Sequence, residues 1–142
     1  MALHHIIYQS TAIRPMADTE LQELLTQARS FNAAHEITGV LLYHNTQFVQ
    51  VLEGEEEVIS ALYEHIRADL RHTSVIKLAD SPLTNRNFGD WSMAFRPVDD
   101  RAFRTLTGFA HPEDLTAAAT DVSNAPLLNQ IVYLTFHEQA SA

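Results

Sequence analysis

The stretch covering residues 36–54, EITGVLLYHNTQFVQVLEG, constrains the fold of this chain more than any other. Residues 37–43 are an almost continuous run of strand-favouring apolar residues, and residues 44–47 form a polar turn. Residues 48–52 are apolar again except for Gln50, so the stretch predicts a β-hairpin. Because side chains alternate between the two faces of a strand, Gln50 shares its face with the apolar residues two positions away on each side.

A buried carboxamide raises the question of its hydrogen-bond partners. Its two donors and its acceptor each need one, and an unpaired group costs roughly 1–3 kcal/mol. Residues 4–10, HHIIYQS, predict another strand, on which Ile6, Tyr8 and Ser10 share a face. If the two strands are neighbours, the Tyr8 phenol can bond to Gln50. The pair is then either a satisfied part of the core or the polar part of a pocket for a heteroaromatic ligand.

Composition excludes several classes of function. The 142 residues predict one domain, and 9 basic against 18 acidic residues give a net charge of −9 with no basic cluster. Nucleic acids and anionic membranes are therefore not expected as partners. The chain has no cysteine, which excludes disulfides, thiolate chemistry and a thioether-linked cofactor and fits a cytoplasmic protein. The N-terminus has no signal-peptide pattern, and no apolar run reaches the ~20 residues that span a bilayer.

The order of elements predicts the fold class. A helix is expected at residues 17–34 with Asp18 as its N-cap, and another from the acidic residues 55–57 to about residue 70. Further strands are expected at residues 74–79 and 91–98. The order β-α-β-β-α-β-β, with both helices on one sheet face, is typical of a ferredoxin-like α+β sandwich. The apolar stripes of the two helices comprise Leu21, Leu24, Leu25, Ala28 and Phe31, and Val58, Leu62, Ile66 and Leu70.

Two helices are predicted after this sandwich. One is short and runs from residue 99 or 100 to residue 106, and a loop-like stretch follows at residues 111–125. Pro126 can open the last helix at its first turn. Because little of that helix is polar, we expect it to cover either the free face of the sheet or another subunit.

Two sites for chemistry are possible on this frame. His65, Asp69 and His72 follow spacings of four and three, so they could bind zinc if the helix continued through His72. The alternatives are a solvated helix end or a ligand-facing edge that also includes Arg71. Arg14 would suit an acylphosphatase-like anion site, but the loop at residues 10–16 has no glycine to open an anion nest. A surface arginine is therefore expected there.

The motifs taken together resemble those of a known family. They are IIYQS with Tyr8, ARSFNAAHEITG with Asn32, ITGVLLY, FVQVLEG with Gln50, IRADLRH, RNFGDW, and WSM with Trp91 and Met93. In this order and at this spacing over residues 3–98, the chain resembles the BLUF family of blue-light sensors that hold FAD.

The resemblance implies a set of cofactor contacts. FAD would lie without a covalent bond between the two helices, with Asn32 bonded to the carbonyl at C4 of the flavin and Gln50 bridging Tyr8 and the flavin. Leu24 and Ile66 would sandwich the ring. The remaining implied contacts are Ser10, His65, Asp69, Arg71 and His72. Two positions depart from the family: Phe31 stands where relatives often have Asn or His, and His65 stands where some have Arg.

The resemblance also implies a mechanism. Under blue light Tyr8 donates an electron and a proton passes through Gln50, which ends in an altered tautomer or rotamer. A new hydrogen bond to the flavin shifts absorption to the red, and strain at Trp91 and Met93 is passed to the C-terminal helices. The sequence leaves open which of Trp91 and Met93 lies next to Gln50, since the predicted strand puts both on one face.

Residues 1–98 would then be the photosensory domain, and residues 99–142 a helical extension for output or oligomerisation. No catalytic output domain is expected, so the signal would pass to a separate effector protein or through a homo-oligomer. The alternatives are a small ferredoxin-like enzyme, either an acylphosphatase-like hydrolase or a flavin reductase, and a scaffold that binds protein through the last helix.

Overall fold

A computed structural model describes residues 3–69, 72–89 and 91–97, together with residue 131. The elements follow the predicted order β-α-β-β-α-β-β. The predicted ends at residues 70 and 98 lie outside the described residues. The bounds are β1 Leu3–Ala12, α1 Asp18–Ala34, β2 Thr38–His44, β3 Gln47–Glu55, α2 Glu56–Ala68, β4 His72–Pro82 and β5 Ala94–Pro97.

The five described strands form one mixed sheet in the order β4-β1-β3-β2-β5. β1 pairs antiparallel with both β3 and β4, β2 pairs antiparallel with β3, and β5 pairs parallel with β2. Side chains of α1 and α2 share one hydrophobic cluster with the same face of the sheet. The predicted ferredoxin-like α+β fold is therefore confirmed.

The hairpin and its neighbour strand place Tyr8 directly opposite Gln50. In the antiparallel register of β1 and β3 these two residues are Cα partners, as the alternation pattern required. β2 and β3 are joined through Asn45, whose φ of 55° lies in the left-handed region that asparagine tolerates better than most residues. The predicted hairpin is confirmed, and β1 is the neighbour that the Gln50 carboxamide needed.

The first helix begins differently from the prediction. Ala17, not Asp18, is the N-cap of α1, and its N–H donates to the Glu20 carboxylate at 3.0 Å. Arg14 donates two hydrogen bonds to the same carboxylate, at 3.0 and 2.8 Å. The reach of Glu20 back to Ala17 replaces the side-chain cap that Asp18 was expected to supply. Arg14 is thus an exposed ion-pair residue, as the absence of glycines in its loop indicated.

The last turn of the same helix holds Asn32 in place. His35 is the C-cap, and the next residue, Glu36, has a φ of 57°. The N–H of Ile37 donates to the Asn32 carbonyl at 2.8 Å, which closes the helix in a Schellman-like turn. Since Ile37 is buried and begins the run into β2, the position of Asn32 is tied to the sheet.

The helix stripes are only partly buried. The fully packed residues are Leu21 and Leu25 of α1 and Ile59 and Tyr63 of α2. On the predicted stripe of α2, Val58, Leu62 and Ile66 are half-buried and pack against the hydrophobic cluster on this face of the sheet, and Leu70 lies outside the described residues. On the predicted stripe of α1, Leu24 and Ala28 are likewise half-buried, and Phe31 is 42% exposed.

The opposite face of the sheet has its own hydrophobic cluster. Ile7 and Val40 from the strands pack there with Phe88 and with Ile131, which is helical and fully buried. The last helix was expected to cover either the free face of the sheet or another subunit, and the position of Ile131 supports the free face of the sheet. The other residues of that predicted helix, and the short helix predicted before it, lie outside the described residues.

A buried carboxylate anchors the segment that leads to β5. Glu53 is fully buried and accepts hydrogen bonds from Thr38 Oγ1 at 2.9 Å and from the N–H groups of Asn87 and Phe88 at 2.6 and 3.0 Å. Arg86 also donates to Thr38 Oγ1, at 2.8 Å, and to the main-chain oxygen of Glu53, at 3.1 Å. One side chain therefore satisfies three donors, two of them on the backbone of the segment.

We expect Glu53→Ala to lower the free energy of unfolding by about 2–4 kcal/mol, because it leaves buried N–H groups unpaired and opens a cavity. Urea denaturation measures the change. Glu23→Ala, at an exposed position of α1, is the control and should change stability by less than about 0.5 kcal/mol. Equal effects of the two substitutions would contradict this role of Glu53.

His5 predicts a pH dependence of stability. It is 1% exposed, its Nε2 is hydrogen-bonded to Ser81 Oγ at 2.8 Å, and its Nδ1 has no partner among the residues that the structure describes. Burial, and then the neighbouring His4, lower the pKa of His5 from 6.5 to about 4. The unfolded chain therefore binds this proton more readily, and stability should fall as pH drops from 6.5 towards 4, by at most about 1.4 kcal/mol per pH unit.

Urea denaturation of wild type and His5→Gln across this interval measures that contribution. The variant should show a shallower loss of stability on acidification. Parallel pH profiles for the two proteins would refute the role of His5.

Candidate functional site

A cavity of about 860 Å³ lies between α1 and α2, with the sheet as its floor. This is the size of a site for a small molecule or cofactor. Leu24 and Ala28 of α1 face Ala61 and Ile66 of α2 across it. The two alanines leave space between the helices, and the half-buried stripes are the walls of this cavity. Sequence periodicity alone could not separate a wall of this kind from a packed core.

The floor of the cavity has a short chain of hydrogen bonds. The Tyr8 hydroxyl donates to Gln50 Oε1, and Gln50 Nε2 donates to the sulfur of Met93 at 3.4 Å. The three side chains come from β1, from β3 and from the segment before β5, and all are buried. The Gln50 carboxamide thus has a strong acceptor contact on one side and a weak, polarisable one on the other.

The environment of Tyr8 keeps its phenol protonated. Burial, and then the nearby Tyr63, raise the pKa of Tyr8 well above its ordinary value. The rings of the two tyrosines meet edge to face, with centroids 5.6 Å apart and an interplanar angle of 64°. A phenol that stays protonated at every physiological pH can donate its hydrogen bond to Gln50 throughout that range.

Asn32 supplies a second carboxamide to the cavity. It lies in the last turn of α1, is 2% exposed, and donates from Nδ2 to the Ser92 carbonyl at 2.7 Å. It lines the cavity together with Gln50, so two fixed amide groups are available to one ligand. A planar ring with an apolar body and a polar edge would match these amides and the aliphatic walls.

The more polar end of the cavity includes His65 and Asp69. α2 ends at Ala68, so the helical spacing proposed for a zinc site does not extend to His72, which begins β4. Within residues 3–69, 72–89 and 91–97, no three His, Asp or Glu side chains are grouped so that they could hold a metal ion. Arg71 and the side chain of His72 lie outside the described part of the chain.

Trp91 and Met93 do not share a face, contrary to the prediction. β5 begins only at Ala94, and the three residues before it form no ladder pairs. Met93 is 2% exposed and packs on the helix side beside Gln50, whereas Trp91 packs against the cluster on the other face. The alternation rule failed because it applies only to regular strands.

The structure brings most of the predicted site residues together. Those that line the cavity are Tyr8, Ser10, Leu24, Asn32, Gln50, His65, Ile66, Asp69 and Met93. Phe31, noted as a departure from the family, also lines it and stacks on His35 with ring centroids 4.0 Å apart. Sequence reasoning missed Arg29, whose Nε donates to the Met93 carbonyl at 2.9 Å. The sequence feature that could have indicated Arg29 is its position one helical turn before Asn32.

The sequence matches the family "BLUF: Sensors of blue-light using FAD" over residues 3–94. The chain belongs to the BLUF family. Its residues 3–94 are a flavin-binding domain that senses blue light.

Known BLUF proteins agree with this assignment. The photoactivated adenylate cyclase subunit beta of Euglena longa is 39% identical over 89 residues, which cover 62% of this chain and 10% of that protein. The chain thus spans about a tenth of the length of such curated relatives. The ground-state structure of BlsA aligns with a TM-score of 0.73 at 27% identity, covering 94% of this chain and 88% of that one. The dark-state structure of BlrB gives 0.65 at 30% identity, covering 89% and 98%.

The BLUF domain is photosensory and is not itself catalytic, so neither the hydrolase nor the reductase alternative is supported. Among the helices that the structure describes, none combines the length and hydrophobicity needed to cross a membrane.

Proposed function

We propose that the flavin of this BLUF protein is FAD and that it lies in the cavity between α1 and α2. The family description names FAD, and the cavity has both the volume and the lining that a flavin ring requires. Heat release and chromatography of the bound cofactor test its identity. FAD is expected, and release of FMN or riboflavin alone would refute this part of the proposal.

The proposed contacts follow the position of each side chain. Leu24 and Ile66, on opposite helices, enclose the ring, and Asn32 and Gln50 hold its polar edge. Ser10 adds a buried hydroxyl beside Tyr8. At the other end His65 and Asp69 contact the ribityl chain. Arg71 and His72 are assigned there only through the family resemblance.

The photochemistry uses residues that are already in contact. Bound oxidised flavin absorbs blue light and, once excited, is a strong one-electron oxidant. Tyr8 is the electron donor, and its phenolic O–H donates directly to Gln50 Oε1. A carboxamide that accepts this proton on Oε1 can release one from Nε2 or rotate, and the return of one electron and one proton to Tyr8 leaves Gln50 in the altered tautomer or rotamer. Its N–H to Met93 is the weaker of its two contacts. Gln50 is therefore the switching element, with two stable arrangements biased by light.

The single observation that carries this proposal is the Tyr8–Gln50–Met93 chain on the floor of a flavin-sized cavity. Absorption spectra in darkness, just after blue illumination, and during recovery test it. A reversible shift to the red is expected. A bound flavin whose spectrum ignores illumination would refute it.

We further propose that residues 1–98 are the sensory unit, that residues 99–142 transmit its signal, and that a separate effector protein receives it. A homo-oligomer is proposed on the ground that the predicted last helix is apolar enough to cover another subunit as well as the sheet face where Ile131 packs, and light scattering with residues 126–142 deleted would test it. If the measured molar mass divided by the mass of one chain did not change on deletion, this would argue against that assembly. Cytoplasmic localisation stays a prediction from composition.

A further inference from the structure

The segment at residues 91–93 is held by three successive carbonyls rather than by strand pairing. The Trp91 carbonyl accepts from the Gly39 N–H of β2 at 3.2 Å. The Ser92 carbonyl accepts from Asn32 Nδ2 at 2.7 Å, and the Met93 carbonyl from Arg29 Nε at 2.9 Å. Two of the three donors are side chains of α1, the helix that forms one wall of the cavity.

Gly39 of β2 can lie this close to the Val51 carbonyl of β3 only because it has no side chain. A Cβ at Gly39 would lie 1.9 Å from the Val51 carbonyl oxygen and 3.5 Å from Met93 Cε. Gly39 therefore brings β2, β3 and Met93 together at the point where Gln50 Nε2 reaches the Met93 sulfur. A movement of the Met93 backbone would weaken this contact further, since a thioether sulfur is a weak acceptor from the start.

Arg29 differs from the other two donors. Asn32 lines the cavity, and Gly39 donates from the backbone of a central hairpin, but Arg29 is absent from the cavity lining. Its side chain is exposed, and its Nε–H donates to the Met93 carbonyl. The hydrogen bond is partly buried and joins Arg29 to a carbonyl 64 residues away in the sequence. The group that Arg29 contacts is therefore the Met93 carbonyl and not a ligand.

We infer that Arg29 is a positioning residue that holds Met93 against the Gln50 carboxamide and so controls the thermal return of the switch. This inference rests on the proposed function of Gln50. When Gln50 returns to its dark arrangement, its N–H must find the Met93 sulfur again. When Arg29 holds the Met93 carbonyl, the Met93 sulfur stays in position to accept this N–H. When the hydrogen bond from Arg29 is removed, the sulfur is in position in only a fraction of the molecules, and only that fraction can return.

Two substitutions separate the hydrogen bond from the charge. Arg29→Met keeps an unbranched side chain but has no donor. Arg29→Gln removes the charge but keeps an N–H on the atom that follows Cδ, the topological position of Arg29 Nε. We expect dark recovery of the red-shifted form to slow by roughly 2- to 10-fold in Arg29→Met, the effect of one ordinary hydrogen bond, and to stay close to wild type in Arg29→Gln.

A second measurement does not depend on photochemistry. Trp91 is the single tryptophan of the chain and lies in the held segment, so acrylamide quenching of tryptophan fluorescence in the dark-adapted holoprotein reports its mobility. Quenching should increase in Arg29→Met and not in Arg29→Gln. Arg67→Met removes an arginine that is ion-paired to Glu64 on the exposed side of α2, and should change neither measurement.

Unchanged or faster recovery in Arg29→Met would overturn the inference, even if Trp91 quenching increased. Equal effects of Arg29→Met and Arg29→Gln would also overturn it, because they would assign the effect to charge. If the wild-type protein bound flavin but did not shift to the red, the proposed function would fail. The quenching data would then decide alone whether Arg29 holds the segment.

Discussion

Tyr8→Phe is expected to give a protein that still binds flavin but no longer shifts its absorption to the red after blue light. The substitution keeps the ring packed among Ile6, Leu52 and Tyr63 and removes only the hydroxyl that donates to Gln50 Oε1. With that hydroxyl the chain loses both the proposed electron donor and the proton that Gln50 would receive. The stability cost should be small, about 0.5–1.5 kcal/mol, because a single hydrogen bond is lost.

Difference spectra after a blue pulse measure the effect, with flavin content and urea denaturation as checks on folding. Tyr43→Phe is the matched control: Tyr43 packs on Phe48 with ring centroids 4.8 Å apart and is not among the residues that line the cavity. That variant should photocycle like the wild type. A normal red shift in Tyr8→Phe would remove Tyr8 from the mechanism.

Gln50→Leu is expected to abolish the red shift as well, for a different reason. Leucine has similar volume, so the cavity floor keeps its shape, but neither an acceptor for Tyr8 nor a donor for Met93 remains. The phenol, whose raised pKa keeps it protonated, is then buried without its partner. We expect a loss of roughly 1–3 kcal/mol in the free energy of unfolding, the cost of one unsatisfied buried group.

Gln9→Leu is the matched control for this substitution. Gln9 is the neighbour of Tyr8 on β1, points to the opposite face of the sheet, and has a buried Oε1 with no hydrogen-bond partner in the described part of the chain. Replacing it should leave the photocycle unchanged and stability unchanged or raised, because an unsatisfied acceptor is removed. A red shift of normal size in Gln50→Leu would show that the switch does not need this carboxamide.

Much of the site was predictable because its core depends on local alternation. The hairpin placed Gln50 on an inward face, the first strand placed Tyr8 on one, and the observed register made them direct partners. The periodicity predicted Leu24 and Ile66 only as apolar stripe residues, and their place on either side of a ligand came from the family resemblance. A stripe has the same period whether it meets another side chain or a ligand.

The sequence by itself determined the order of elements, the fold class and the face of the sheet that carries Tyr8 and Gln50, because periods of two and 3.6 residues are local properties of the chain. Only the tertiary structure decided the placement of Trp91 and Met93 on opposite faces and the hydrogen bond from Arg29 to Met93. Those features depend on hydrogen bonds from Arg29 and Asn32 to carbonyls 64 and 60 residues away, and no local pattern records a contact at that separation.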